Sequence, residues 1–159
     1  MSYKAVSTVF PEVFFFKPVQ QQAENGVLNF DRRAFYLATK TDFLFVQDDY
    51  SRSSQGALRR LHYQIQHPQG KLVQAIQCAV FDVTVDLRRT SPGFPNGFLV
   101  LSGSTDFMYK PNNYYAPVHE RCLAWNDSAV GIDWPFSSDV VLSSKDAAGK
   151  SLANAECFE

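Results

Sequence analysis

Residues 80–88, VFDVTVDLR, alternate with a period of two: Phe81, Val83, Val85 and Leu87 share one face, while Asp82, Thr84, Asp86 and Arg88 share the other. An extended strand with one buried face explains that period, since a helix would scatter the same residues around its axis. The segment has company. FPEVFFFKP, FLFVQ, KLVQAIQ, GFLVLS and TDFMYK are also short and rich in Val, Phe, Ile and Tyr. Turn formers separate them at Pro18, Asn25-Gly26, Gly70, Pro92-Gly93, Pro95-Asn96-Gly97 and Pro111-Asn112, and a Gln-rich turn spans Pro18–Asn25. Many short strands with frequent turns predict an all-β sandwich or barrel. Amphipathic helices are scarce; SSKDAAGKSLANA, near the C-terminus, is expected to give minor helical turns capped by Ser and Asp.

With 159 residues, 45% of them hydrophobic and 14% aromatic, the chain suits one domain spanning residues 1–159. A net charge of −1 argues against nucleic acid and anionic membranes as partners, because both demand a basic surface. Any phosphate binding must come from a few placed cations. Cys78, Cys122 and Cys157 are odd in number, widely spaced and without CxxC pairing, so neither a disulfide framework nor a zinc site is expected. The N-terminal MSYKAVSTVFPEVFFFKP lacks the apolar core of a signal peptide, and no stretch reaches transmembrane length. A cytoplasmic chain is expected. VFFF at residues 13–16 suits a strand buried in the core or in a dimer interface.

Chemistry concentrates in residues 58–72, LRRLHYQIQHPQGKL. In a barrel alternate side chains point into the lumen, so an inward His62 brings Arg60 and Gln64 with it. The bland reading turns this face to solvent, which is the commoner arrangement for a polar strand face. Gly56 and His62 resemble the start of the cupin metal-binding pattern, but Gln64 takes the second histidine's place and no glutamate precedes Lys71. With His62, His67 and His119 as the only histidines, no metal is expected. For acid–base work, His62 offers an imidazole, the side-chain type suited to proton transfer near neutral pH, and Lys71, Tyr109 and Asp146 follow it along the chain. A histidine oriented by a carboxylate and facing a phenol across a ligand can move a proton between the two faces of a carbon. A lysine nearby would stabilise enolate oxygen.

The runs FVQDDYSRSSQGALRRLHYQ, PQGKLVQAIQCAVFDVTVDLRRTSP, GFLVLS, FMYKPNNYYAPVHERCLAWND, GIDWP and LSSKDAAG resemble the dTDP-4-dehydrorhamnose 3,5-epimerase family of nucleotide-sugar enzymes. The resemblance implies a homodimeric cupin-type jelly-roll barrel and an isomerase acting on a dTDP-4-keto-6-deoxyhexose in deoxysugar biosynthesis, as for dTDP-L-rhamnose, without metal or cofactor. It makes His62 the base, Asp146 its carboxylate partner, Tyr109 the acid on the opposite sugar face and Lys71 the cation beside the C4 oxygen. It further implies substrate contacts from Gln47, Asp48, Asp49, Arg59, Glu120 and Lys145, with Tyr115 stacking on thymine and Arg33 meeting the diphosphate from the neighbouring subunit. The VFFF strand would then lie in the subunit interface. The chemistry is sound: a ketone at C4 acidifies C3 and C5, because the carbanion delocalises onto oxygen, and reprotonation from the opposite face inverts the centre.

The chain departs from the family after DLRRTSP. Two further strands, one carrying a histidine, normally precede GFLVLS; here only GFPN intervenes, an apparent internal deletion after Pro95. Either an edge opens or a direct hairpin joins DVTVDLRR to FLVLS. Arg60 replaces a family glycine, Ala38 a substrate-contacting glutamate, and Asp49 an asparagine. Two explanations fit: a segment of a longer chain is missing from the sequence, or the chain is a shortened variant with altered or lost activity. Two alternatives to the double epimerase therefore stand: a non-catalytic nucleotide-sugar-binding or structural cupin, and a single-carbon 3- or 5-epimerase.

Overall fold

The computed structural model describes residues 3–8, 10–18, 31–54, 57–59, 61–78, 81–95, 97–100, 105–135 and 140–159. Gly56, Arg60 and the Gln-rich stretch after Pro18 lie outside them. The chain gathers into two compact units, Met1–Leu44 and Phe45–Glu159.

The first unit pairs β1 (Tyr3–Ser7) with β2 (Phe14–Pro18) as an antiparallel ladder, followed by helix α1 (Arg32–Thr39). The VFFF run does form a strand, and Phe16 meets Phe35 of α1 at 5.7 Å between ring centroids. Phe35 in turn lies 6.4 Å from Phe43. The helix was not expected from the sequence. Asp31 starts it, accepting from the backbone N–H groups of Arg33 at 2.9 Å and Ala34 at 3.0 Å, and a left-handed Lys40 ends it. Both signals were present in the sequence, but eight residues are too few for a periodic stripe to stand out.

The second unit is all-β with short helical turns. Its elements are β3 (Asp49–Ser53), β4 (Leu61–Gln64), β5 (Lys71–Cys78), β6 (Asp82–Val85), β7 (Gly97–Val100), β8 (Thr105–Pro111), β9 (Glu120–Leu123) and α2 (Ser144–Ala147). Strand β8 lies between β3 and β5 in a three-stranded antiparallel sheet, β4 pairs with β9, and β6 pairs with β7. The β6–β7 ladder runs from Asp82 opposite Val100 to Val85 opposite Gly97, so of the two outcomes expected here, an open edge or a direct pairing of these segments, the pairing is found. Its connection is pinned by Asp86, which accepts from Arg88 Nη2 at 2.7 Å and from Ser91 Oγ at 2.6 Å. The alternation read in VFDVTVDLR holds through β6, with Val83 and Val85 turned inward and Asp82 and Thr84 outward. FLFVQ departs from expectation. It forms no strand, although the Val46 N–H donates to the Pro111 carbonyl at 3.0 Å.

Leu123 is fully buried and, with Leu87, Val130 and Ala155, forms a core against which Leu61, Tyr63 and Phe158 pack. Leu61 sits opposite Leu123 in the β4–β9 ladder. One face of this pair therefore belongs to the core, and the other carries His62, Gln64, Glu120 and Cys122. No helix among the described residues is long and apolar enough to cross a membrane.

Candidate active site

The period of two that buries Leu61 and Tyr63 turns His62 and Gln64 to the opposite face. This bears out the pairing of His62 with Gln64 anticipated from the sequence. Gln64 is buried and holds the loop after β8: its Oε1 accepts from the Ala116 N–H at 2.8 Å, and its Nε2 donates to the His67 carbonyl at 2.7 Å. Asn112 Oδ1 accepts from the Gly70 N–H at 2.7 Å, tying the same loop to the HPQG turn. Tyr115 is positioned by these bonds.

Asp146 reaches His62 from α2. Ser143 caps that short helix: its hydroxyl accepts from the Asp146 N–H at 3.1 Å and donates to Asp146 Oδ2 at 2.6 Å. The segment is fastened on both sides. The Leu58 N–H donates to the Val141 carbonyl at 3.1 Å, and the Lys150 N–H donates to the Cys122 carbonyl at 2.9 Å. Asp146 is left 8% exposed, with Oδ1 at 2.8 Å from His62 Nε2. A carboxylate accepts only, so Nε2 carries the proton and Nδ1 is the nitrogen left to take one. Nδ1 is buried and has no hydrogen bond, although Glu120 Oε1 lies 3.2 Å away.

Glu120 ties His62 to a second group of side chains. Its Oε2 accepts from the Tyr115 hydroxyl at 2.6 Å and forms an ion pair with Lys145, whose ammonium also donates to the Tyr115 oxygen at 3.2 Å. Partial burial works against the Glu120 carboxylate, but the bonds from Lys145 and Tyr115 hold its pKa below the usual range. The Lys145 pKa is correspondingly raised by its bond to Glu120.

On the three-stranded sheet, Tyr109 stands opposite Asp49 on one side and Val73 on the other. Directly paired residues share a face, and Lys71, two residues from Val73, shares it too. The Lys71 ammonium accordingly lies 5.5 Å from the centroid of the Tyr109 ring. Lys71 keeps contact with solvent, yet the protein packed around its ammonium lowers its pKa, against the pull of Glu120, Asp49 and Asp82. Burial raises the Tyr109 pKa, helped by Asp49 and Glu120 and opposed by Arg59. Glu120 therefore contacts His62 directly and acts through its field on both Lys71 and Tyr109. His62, Asp146, Glu120, Lys145, Tyr115, Lys71, Tyr109, Asp49 and Arg59 are linked in one electrostatic neighbourhood.

Gln47, Asp48 and Arg33 complete the set of expected residues, and Arg59 has further partners of its own. Gln47 Nε2 donates to Asp49 Oδ1 at 2.7 Å, which makes it a neighbour of the site through Asp49. Asp48 forms an ion pair with Lys110. Arg59 donates to Ser53 Oγ at 2.9 Å and lies 6.0 Å from the Phe107 ring centroid. Arg33 is exposed on α1, in the first unit. Three residues escaped the sequence reading. Ser51, two positions from Asp49 on the same face, is buried with an unpaired hydroxyl; period-two counting from Asp49 would have found it. Asp82, whose pKa burial raises, acts on Lys71 from β6. Cys122 stands directly opposite His62 in the β4–β9 ladder.

The chain has relatives. The family profile for dTDP-4-dehydrorhamnose 3,5-epimerase matches residues 7–96 and 91–154. A Pseudomonas aeruginosa protein described as dTDP-4-dehydrorhamnose 3,5-epimerase is 42% identical, with 98% of this chain and 99% of that protein covered. The chain belongs to the dTDP-4-dehydrorhamnose 3,5-epimerase family. Among solved structures, the dTDP-4-dehydrorhamnose 3,5-epimerase of Elizabethkingia anophelis is similar at a TM-score of 0.85 and 29% identity, with 97% of this chain and 98% of that chain covered. A Legionella pneumophila dTDP-6-deoxy-D-glucose-3,5-epimerase, solved in complex with dTDP-4-keto-L-rhamnose, is similar at a TM-score of 0.75 and 32% identity, with 98% and 87% covered. The expected all-β, cupin-type jelly-roll fold is that of the family. The gap expected after Pro95 is visible as well. The profile breaks into two matches that overlap at 91–96, and the Pseudomonas alignment runs over 179 positions although this chain has 159 residues.

Proposed function

We propose that the chain epimerises a dTDP-4-keto-6-deoxyhexose at C3, C5 or both, by proton abstraction and reprotonation through an enolate, with no metal or cofactor. One observation supports the reading: a histidine held by a buried carboxylate lies beside Glu120, whose charge also acts on the Lys71–Tyr109 pair. His62 is the base, with Asp146 fixing its tautomer and orientation. Lys71 stabilises the developing oxyanion at C4; its lowered pKa reflects a poorly solvated ammonium, which an enolate oxygen would complement. Tyr109 is the acid on the opposite face. Glu120, Lys145 and Tyr115 hold the sugar and base ends of the ligand. Gln47, Asp48, Asp49 and Arg59 line the approach to it.

The two units act in this reading as one epimerase domain working in the cytoplasm, and the profile match across both supports that organisation. The protein acts as a homodimer, with Arg33 meeting the diphosphate in the neighbouring subunit. Support comes from the apolar side chains that α1 and the following segment leave exposed, Leu37 and Leu44 among them, at 57% and 64%. Sedimentation at micromolar concentration should give twice the chain mass; a monomer contradicts the dimer. For the activity itself, wild-type protein incubated with substrate in heavy water should place deuterium at C3 or C5. Background exchange, with thymidine diphosphate still raising the melting temperature, would instead identify a binding protein.

A further inference from the structure

We propose that His62, Cys122 and Asp146 form an inhibitory site for thiophilic divalent cations, Zn²⁺ foremost. Their donor atoms, one imidazole nitrogen, one thiol sulfur and one carboxylate oxygen, all lie within 4.8 Å of one another. The ladder explains why: Cys122 is the residue directly opposite His62, and α2 brings Asp146 against the same face. Mixed nitrogen, sulfur and oxygen donors suit zinc, and three protein ligands leave a fourth tetrahedral position for water.

Glu120 supplies an independent supporting feature. If Nε2 of His62 turns from Asp146 to a cation, its proton moves to Nδ1, which faces Glu120 Oε1 at 3.2 Å. Metal-bound histidines commonly rest their other ring nitrogen on a carboxylate in this way. Nδ1 has no hydrogen-bond partner among the described residues, so this contact is available to it. Binding moves the ring proton of His62 from Nε2 to Nδ1 and displaces the thiol proton of Cys122, which passes to solvent. The cation thereby takes the base out of action, which makes the enzyme reversibly sensitive to free zinc. The cation site rests on this geometry alone, and only its inhibitory effect rests on the epimerase reading.

Cobalt(II) added to the metal-free protein tests the site. A thiolate-to-cobalt charge-transfer band should appear in the near ultraviolet and vanish in Cys122→Ala. That variant should keep the metal-free turnover of the wild type while zinc inhibition weakens at least about tenfold, no less than the loss of an outer-shell partner costs a metal site. A wild-type protein showing no thiolate band, or a Cys122→Ala protein with the band and the zinc sensitivity intact, overturns the proposal. Should Cys122→Ala fail to fold, zinc protection of Cys122 from iodoacetamide in the wild type decides, with equal labelling in both states counting against the site. Absent deuterium exchange in metal-free protein would refute the epimerase reading and leave the cobalt result untouched.

Discussion

His62 and Asp146, 84 residues apart in the chain, meet at 2.8 Å between Nε2 and Oδ1. The strand register places the first, and a serine-capped helical turn fastened to the neighbouring strand places the second. Asp146→Asn preserves the volume but can present an amide N–H to the ring and favour the wrong tautomer. Turnover should fall by about 10²–10⁴-fold with the fold intact, as for loss of a properly prepared general base. Ser143→Ala, which removes a bond from each end of the Asp146 residue, should give a smaller fall. Circular dichroism paired with steady-state kinetics checks both.

In the proposed mechanism Lys71 should set the alkaline limit of activity. Its ammonium must be charged to stabilise an enolate, and its pKa lies below the usual lysine value of about 10.4. Charge is lost as pH rises through the lowered pKa, so the alkaline limb of kcat should begin earlier than for an ordinary lysine. Lys71→Arg keeps the charge at every accessible pH and should abolish that limb, even if turnover falls. An unchanged limb in the variant assigns it to another group.

How much of this was legible in the sequence differs from residue to residue. The alternation in VFDVTVDLR survives as β6, and the HYQ and KL runs survive as strands, because a half-buried strand writes its period directly into its residues. The roles given to His62 and Asp146 came from resemblance, and local pattern could not have joined them, since their meeting depends on non-local pairing of β4 with β9. FLFVQ misled because apolar content resembles a strand even where no neighbour completes the ladder. Cys122 carries no CxxC signature in the sequence; its significance lies in the register opposite His62, which spacing along the chain does not reveal.

Acid stability should depend on Asp86. Hydrogen bonds from Arg88 first, and from Ser91, hold its carboxyl well below the usual range despite the burial that opposes them. A lowered folded pKa means that the stabilisation is complete above the unfolded value near 3.9 and is lost as pH falls through the folded value. Asp86→Asn should cost about 1.5–3 kcal/mol near neutrality, the range for bonds to a charged group. Urea titrations of both proteins should converge as the pH drops below about 4; a constant difference contradicts the assignment.

Leu123 anchors the core behind the site, opposite Leu61 and fully buried. Leu123→Ala should destabilise the protein by about 2–5 kcal/mol, the cost of lost burial plus a cavity. The midpoint of urea unfolding should fall with its slope unchanged. A loss under about 1 kcal/mol would mean that the site collapses around the smaller side chain.

The account stands on an imidazole and a phenol acting on the same carbon from opposite sides, and substrate turnover in heavy water by His62→Ala and Tyr109→Phe tests this directly. His62→Ala should leave C3 and C5 free of deuterium. Tyr109→Phe should take up deuterium yet largely retain configuration, because the base can return a solvent-derived proton to the face from which it took one. Exchange that persists in His62→Ala, or inversion at the wild-type rate in Tyr109→Phe, contradicts it.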